Sequence, residues 1–275
     1  MDYSPKLPEH NVNVSQGHPL AEFFPLLAAT IVIFLVVVGL AGLLVDRAVT
    51  YIDPELESEL FASSLVQYDF DLEAPSDRSA FLQGLADELR LCMEMPYPIT
   101  LAVVTSSQVN ALALPGGHVV VFSGLIDGMS SENGLAFVLA HELAHFKHRD
   151  HLRGMGRGLV LVAASAAVSG SSSALTSMLT PAISRGAASY SQSRETAADA
   201  AALEALHCKY GDVAGAEELF RTLEQANNDD IWSDAHYFSS HPELGERILA
   251  IQQLAEERQF ASGTIDPMPC QFCGN

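Results

Sequence analysis

The chain has 275 residues and carries 14 Lys and Arg against 34 Asp and Glu, a formal net charge of −20. So acidic a composition argues against nucleic-acid binding, which needs a basic stripe, and disfavours electrostatic docking on anionic lipid. Association with a membrane is therefore expected to come from an apolar segment.

Residues 23–45 supply one: they contain no charged side chain and are dominated by Leu, Val, Ile, Ala and Phe. At about 1.5 Å per residue they extend roughly 34 Å, enough to cross the hydrocarbon core of a bilayer. The run is too long for the apolar part of a signal peptide and lacks a basic segment before it, so an uncleaved transmembrane helix is expected. Lys6 and the N-terminal amine on one side balance Arg47 on the other, which leaves the orientation open. The expected organisation is a tail (1–22), a membrane span (23–45), one folded domain (46–260) and a C-terminal tail (261–275).

Residues 76–95 read as a helix with Phe81, Leu82, Leu85, Leu89 and Met93 on one side, ended by Pro96-Tyr97-Pro98. Cys92 falls on that apolar side and reads as a small core residue. Residues 99–105 and 118–123 read as short strands, with Pro115-Gly116-Gly117 turning into the second.

The next segment, residues 133–148, has the pattern of an amphipathic helix with Leu135, Val138, Leu139, Leu143 and Phe146 at helical spacing. Ser130 or Ser131 is suited to cap it, and Glu132 suits its first turn. It contains His141-Glu142-Leu143-Ala144-His145. Residues four apart share a helix face, so both imidazoles can address one cation, with Glu142 beside them. Zinc held by neutral imidazoles makes water acidic, and the adjacent carboxylate takes the proton as a peptide carbonyl is attacked. A catalytic zinc keeps three protein ligands and one open position. Glu195 in the Ala-rich stretch Ser193–Asp199 is the candidate third ligand, with Asp199 on the same face to accept a ring N–H from a ligand histidine. Ala197, Ala198, Ala200, Ala201 and Ala202 would let the two helices approach closely.

Residues 158–168 form a second apolar stretch, too short to span a membrane and suited to a buried or surface-lying helix near the cleft. His241-Pro242 precedes a helical pattern over 243–259 that contains Arg247, an ordinary way to begin a helix. Cys270 and Cys273 fit a zinc half-site, a redox pair or a disulfide, and Asp266-Pro267-Met268-Pro269 reads as an irregular, unpacked tail.

Five segments in order resemble the M48 peptidases: Asn110–Gly117, Ser123-Gly124-Leu125, His141–His145, Glu195–Asp199, and Ser240-His241-Pro242 followed by Arg247. The resemblance covers roughly residues 53–255. It implies a mainly helical α+β, zincin-like metallopeptidase domain with a small sheet, behind the single transmembrane helix. One Zn²⁺ per chain would sit on His141, His145 and Glu195, with Glu142 as base and Asp199 behind the ligands. His241 would approach the metal or the reacting carbonyl, and Arg247 would stabilise an oxyanion. The strand at residues 118–122 would border the cleft and accept substrate backbone as a further strand.

The function implied is a single-pass, membrane-anchored zinc metalloendopeptidase acting on misfolded or membrane-associated proteins in envelope quality control. A bacterial inner membrane is implied, with the periplasmic side preferred for the catalytic domain. The alternatives are a chaperone-like or scaffold protein that keeps the fold with little turnover, and a metal-dependent hydrolase of non-peptide bonds, since the motif activates water without choosing the bond.

Overall fold

A computed structural model of the chain describes residues 19–61, 70–169, 192–222, 241 and 244–269. Helix α1 (Pro19–Val49) is the one helix among the described residues long and apolar enough to cross a membrane. Phe23, Leu27, Ile31, Leu35 and Leu44 along it are exposed. After a turn, Asp53 caps α2 (Pro54–Leu60) by accepting from the Glu55 N–H at 2.9 Å.

Helix α3 (Asp77–Cys92) opens on a reciprocal capping box between Ser76 and Ser79 and buries Leu82, Leu85, Ala86 and Leu89. The strands β1 (Thr100–Val104), β2 (Ala111–Leu114) and β3 (His118–Phe122) form one sheet in the order β1-β3-β2. β3 runs parallel to β1 and antiparallel to β2. The turn between β2 and β3 needs its glycines: Gly116 and Gly117 have φ of 90° and 82°, and a Cβ on Gly116 would stand 3.1 Å from Phe61.

This topology corrects one expectation. β3 is the central strand, paired on both sides, and has no free edge on which a substrate can add. The strand β2, which the sequence reading did not separate from its loop, is the outer one. Phe122 N–H donates to the Asn110 carbonyl at 3.0 Å, so even-numbered residues of β2 face β3, and the backbone groups of Ala111 and Ala113 turn outward.

After the short α4 (Ser123–Gly128), α5 (Glu132–Lys147) starts at Ser131, whose hydroxyl accepts from Gly134 N–H at 2.9 Å. α5 is buried on every side from Asn133 to Phe146, so the amphipathic reading of this segment is corrected to a central helix. It packs against α3, β2, α6 (Asp150–Ser169) and, most extensively, α7 (Gln192–Tyr210). Ala198, Ala202 and Ala205 are fully buried on α7, which is how the two backbones come close. α8 (Leu244–Glu257) lies against α7.

One further expectation changes, and two segments find their place. Cys92 is bonded to Cys208, linking the end of α3 to α7 across a sequence separation of 116; it is not a free core thiol. Residues 261–267 are irregular and exposed, as expected of a tail, with Met268 alone of the segment buried and the Asp266 carbonyl accepting from Glu132 N–H at 2.9 Å. The apolar stretch at 158–168 is the outer part of α6, beside α1 with Leu159 and Leu161 exposed. Cys270 and Cys273 lie outside the described residues.

Candidate metal centre

The two histidines of α5 meet α7 and the 241 position in the middle of the domain. His141, Glu142, His145, Glu195, Asp199, His241 and Arg247 are all buried. His141 Nε2 and His145 Nε2 are 3.0 Å apart; Glu195 places Oε2 3.4 Å from the first and Oε1 3.3 Å from the second. His241 Nδ1 lies 3.0 Å from Glu195 Oε2 and 3.3 Å from His141 Nε2. One donor atom from each of these four residues falls within 4.8 Å of all the others, a set of three imidazoles and one carboxylate suited to zinc.

The outer nitrogens are held as a metal site requires. Asp199 Oδ1 is 2.9 Å from His141 Nδ1, and Asp150 Oδ2 is 3.1 Å from His145 Nδ1. A carboxylate on Nδ1 keeps the proton there and turns the Nε2 lone pair inward. Asp199 is gripped in turn by Arg247, at 2.8 Å from Nε and 2.7 Å from Nη2, and Arg247 Nη1 lies 2.8 Å from Glu195.

Every sequence-proposed site residue is therefore in one cluster. Asp150 is the member the sequence reading missed. It follows Arg149, whose left-handed φ of 60° turns the chain sharply after α5 and returns Asp150 beneath His145. The only signal was an acid a few positions past the second histidine. Of the other histidines, His151 hydrogen-bonds Glu57 at 2.8 Å, His207 stacks on Phe260, and His236 lies outside the described residues.

The electrostatics follow from burial. Burial works to raise the Glu195 carboxyl, but hydrogen bonds from His141, His145 and His241 outweigh it and hold it far below the usual range. Burial also opposes a charged His141, yet its bonds to Asp199 and Glu195 carry it up to about 9. His241 is pushed down to about 3 by burial. Glu142 is raised, chiefly by burial, and its Oε1 accepts no hydrogen bond among the described residues, with His241 Nε2 at 3.4 Å. A buried carboxylate oxygen left open beside four converging donors is what a site for water and metal requires. The Ala113 N–H works the other way from burial and favours the charged Glu142, which puts the outer edge of β2 near it.

A histidine pair one helical turn apart, a carboxylate from a second helix and a buried glutamate beside them are the features of a metallopeptidase centre. The pattern described as "Peptidase family M48" matches residues 76–255. The chain belongs to that family. It is 34% identical over 160 residues to the metalloprotease YcaL of Escherichia coli strain K12, covering 56% of this chain and 61% of YcaL. It is 31% identical over 175 residues to the mitochondrial metalloendopeptidase OMA1 of Schizosaccharomyces pombe, covering 60% of this chain and 49% of the relative. A protease HtpX homolog of Salinibacter ruber is 27% identical over 259 residues, covering 82% of this chain and 88% of the relative. The chain thus spans about half to three-fifths of the length of the first two.

Proposed function

We propose that the chain is a membrane-anchored zinc metalloendopeptidase. The observation that carries this reading is the convergence of His141, His145 and Glu195 beside the open oxygen of Glu142. Zinc bound there supplies Lewis acidity, polarising a carbonyl and making water acidic near neutral pH. Asp199 and Asp150 hold the tautomers of His141 and His145. Glu142 takes the proton of the attacking water and returns it to the leaving amine, and burial, by raising its pKa, makes it a stronger base than an exposed carboxylate. His241, kept neutral by burial and 3.4 Å from Glu142, contacts the reacting carbonyl oxygen. Arg247, engaged with Asp199 and Glu195, acts through them to keep the centre neutralised.

The outward backbone of Ala111 and Ala113 supports recognition by strand addition, in which the substrate backbone pairs with β2 and is read with little regard to side chains. Such a site takes extended, unfolded segments, and an anchor at α1 restricts it to proteins near the bilayer. These features favour misfolded or membrane-associated proteins as substrates. The Cys92–Cys208 bond supports an oxidising compartment, hence the periplasmic side if the membrane is a bacterial inner membrane.

The test uses the full chain in detergent: bound zinc by elemental analysis, and casein cleavage with and without a chelator, beside Glu142→Gln. Stoichiometric zinc with cleavage abolished by chelator and by the substitution is the expected result. A folded, zinc-free protein sinks the ligand assignment, and zinc without cleavage sinks the activity.

A further inference from the structure

Asp150, which orients His145, also lines a cavity of about 490 Å³ together with Thr50, Lys147, Arg149, Arg153 and Arg194. Thr50 is the first residue after α1, so the cavity lies where the apolar helix joins the folded domain.

Its charges do not balance. Lys147 Nζ donates to the Met93 carbonyl at 2.9 Å, not to an acid. Arg149 pairs with Glu57 at 2.5 Å; Arg194 lies 3.3 Å from Asp150 and 3.9 Å from Asp46; Arg153 reaches Asp150 only at 3.7 Å. Arg157, one turn along α6, grips Asp46. Among the described residues, five cations thus stand against three carboxylates, Glu57, Asp150 and Asp46, an excess of two positive charges in a chain whose net charge is −20. Arg153 Nε is buried with no hydrogen-bond partner among the described residues. A site in this condition is short of an anion.

The surroundings select which anion. α1 and α6 pack along one another, with Val45 against Gly156, where an added Cβ would meet Val45 at 2.3 Å. From that contact outward residues 158–168 of α6 carry no charge, and Leu159 and Leu161 are exposed beside the exposed Leu40, Leu43 and Leu44 of α1. The basic cavity therefore opens at the foot of a two-helix apolar surface, at headgroup depth for a bilayer crossed by α1.

We propose that this cavity binds the phosphate of an anionic phospholipid, whose acyl chains lie along the exposed apolar faces of α1 and α6. The proposal rests on α1 spanning the membrane and is independent of the peptidase chemistry.

The test measures binding to the full chain in nonionic detergent by thermal melting, with short-chain phosphatidylglycerol, phosphatidylcholine or inorganic phosphate as the probe. Saturable binding of phosphatidylglycerol alone is expected. Each basic group near a membrane surface is worth about fivefold in affinity for anionic lipid, so Lys147→Gln with Arg153→Gln should weaken it roughly twenty-fivefold. The charge-preserving pair Lys147→Arg and Arg153→Lys should retain binding, as should Arg221→Gln, which removes an exposed charge paired with Glu217 elsewhere. Equal binding of the two lipids, or undiminished binding by the double Gln variant, overturns the site. Binding of inorganic phosphate as tight as that of phosphatidylglycerol overturns the lipid in favour of a soluble anion. If the double Gln variant does not fold, the comparison of the three probes on the wild type decides alone. Alkaline carbonate extraction of membranes separates the premise: release of the wild-type chain overturns the anchor, whereas retention without headgroup selectivity overturns only the lipid site.

Discussion

The metal centre and the basic cavity share a wall and have opposite electrostatics. In the centre, Glu142, Glu195 and Asp199 are buried around the imidazoles, with the Arg247 guanidinium against Glu195 and Asp199. A few residues further along the chain, Lys147, Arg149, Arg153 and Arg194 surround Asp150 alone in the cavity wall. Asp150 faces both, toward His145 on one side and toward Arg194 and Arg153 on the other. Arg194 and Glu195 divide the same way, as neighbours on α7 that serve different regions. Charge in this protein is sorted in space, so a net value of −20 says little about any one surface. The expectation that so acidic a chain is disfavoured from electrostatic docking on anionic lipid concerns the average surface, and the proposed lipid site would be a local exception at the junction with α1.

The sharpest way to separate the two regions is Glu142→Gln. It should leave zinc content unchanged and lower peptide cleavage about 10²–10⁴-fold, the range for removing a general base. Anionic-lipid binding should be untouched, since Glu142 does not line the cavity. A variant that keeps full cleavage would remove Glu142 from the chemistry.

The disulfide tests what the regions have in common. Cys92–Cys208 fastens α7 to α3, and α7 carries both Arg194 and Glu195. Cys208→Ser should cost about 2–5 kcal/mol of stability, as expected for opening a long loop. The loss should appear in melting of the zinc-loaded and lipid-bound forms alike. A melting temperature unchanged by the substitution and by reductant would show that packing alone holds α7.

Asp150→Asn addresses the shared wall itself. The amide can still bond to His145, but it no longer favours the required tautomer or balances Arg194 and Arg153. Zinc affinity should fall about 10–100-fold by competition with a chelating dye, the usual cost of losing a carboxylate behind a ligand histidine. Lys147→Gln, on the other side of the wall, should leave zinc affinity unchanged. Equal effects of the two would mean that the regions are one electrostatic unit.

How much of this was legible in the sequence depended on whether the information was local. His141, Glu142 and His145 are fixed by helical period, as are Glu195 and Asp199 within their Ala-rich helix, and all five converge. The helix long and apolar enough to cross a membrane is equally local, a matter of length and composition. The misses are non-local. Asp150 reaches His145 only through the left-handed turn at Arg149, which no propensity announces. β2 is four residues of Ala and Leu, poor strand formers that owe their state to pairing with β3. Because β2 was not seen, β3 was given the edge position. The amphipathic reading of α5 failed because the helix is packed on all sides, so its polar residues mark a buried centre and not a solvated face. The partner of Cys92 lies across a separation of 116 and depends on how α3 meets α7.

The smallest expected effect concerns Glu57, which joins the segment after α1 to both regions. It accepts from Gly116 N–H at 3.0 Å, behind the turn of β2, and pairs with Arg149 and His151 at the start of α6. Burial works to raise its carboxyl, but the bonds to His151 and Gly116 and the charge of Arg149 prevail and hold it below 4.5. A depressed folded-state pKa contributes stability that is fully present above the unfolded value and is lost as pH falls through the folded one. Glu57→Gln keeps an acceptor for Gly116 but loses the charge, so it should destabilise the protein by about 1–2 kcal/mol near neutrality. The gap between wild type and variant should then narrow as pH drops below 4.5, because the wild type alone loses this carboxylate. Denaturation curves at several pH values check this. Parallel profiles through the acid range would mean that Arg149 and His151 draw nothing from the Glu57 charge, and that the link between the anchor and the turn of β2 is one of packing by Phe61 over Gly116.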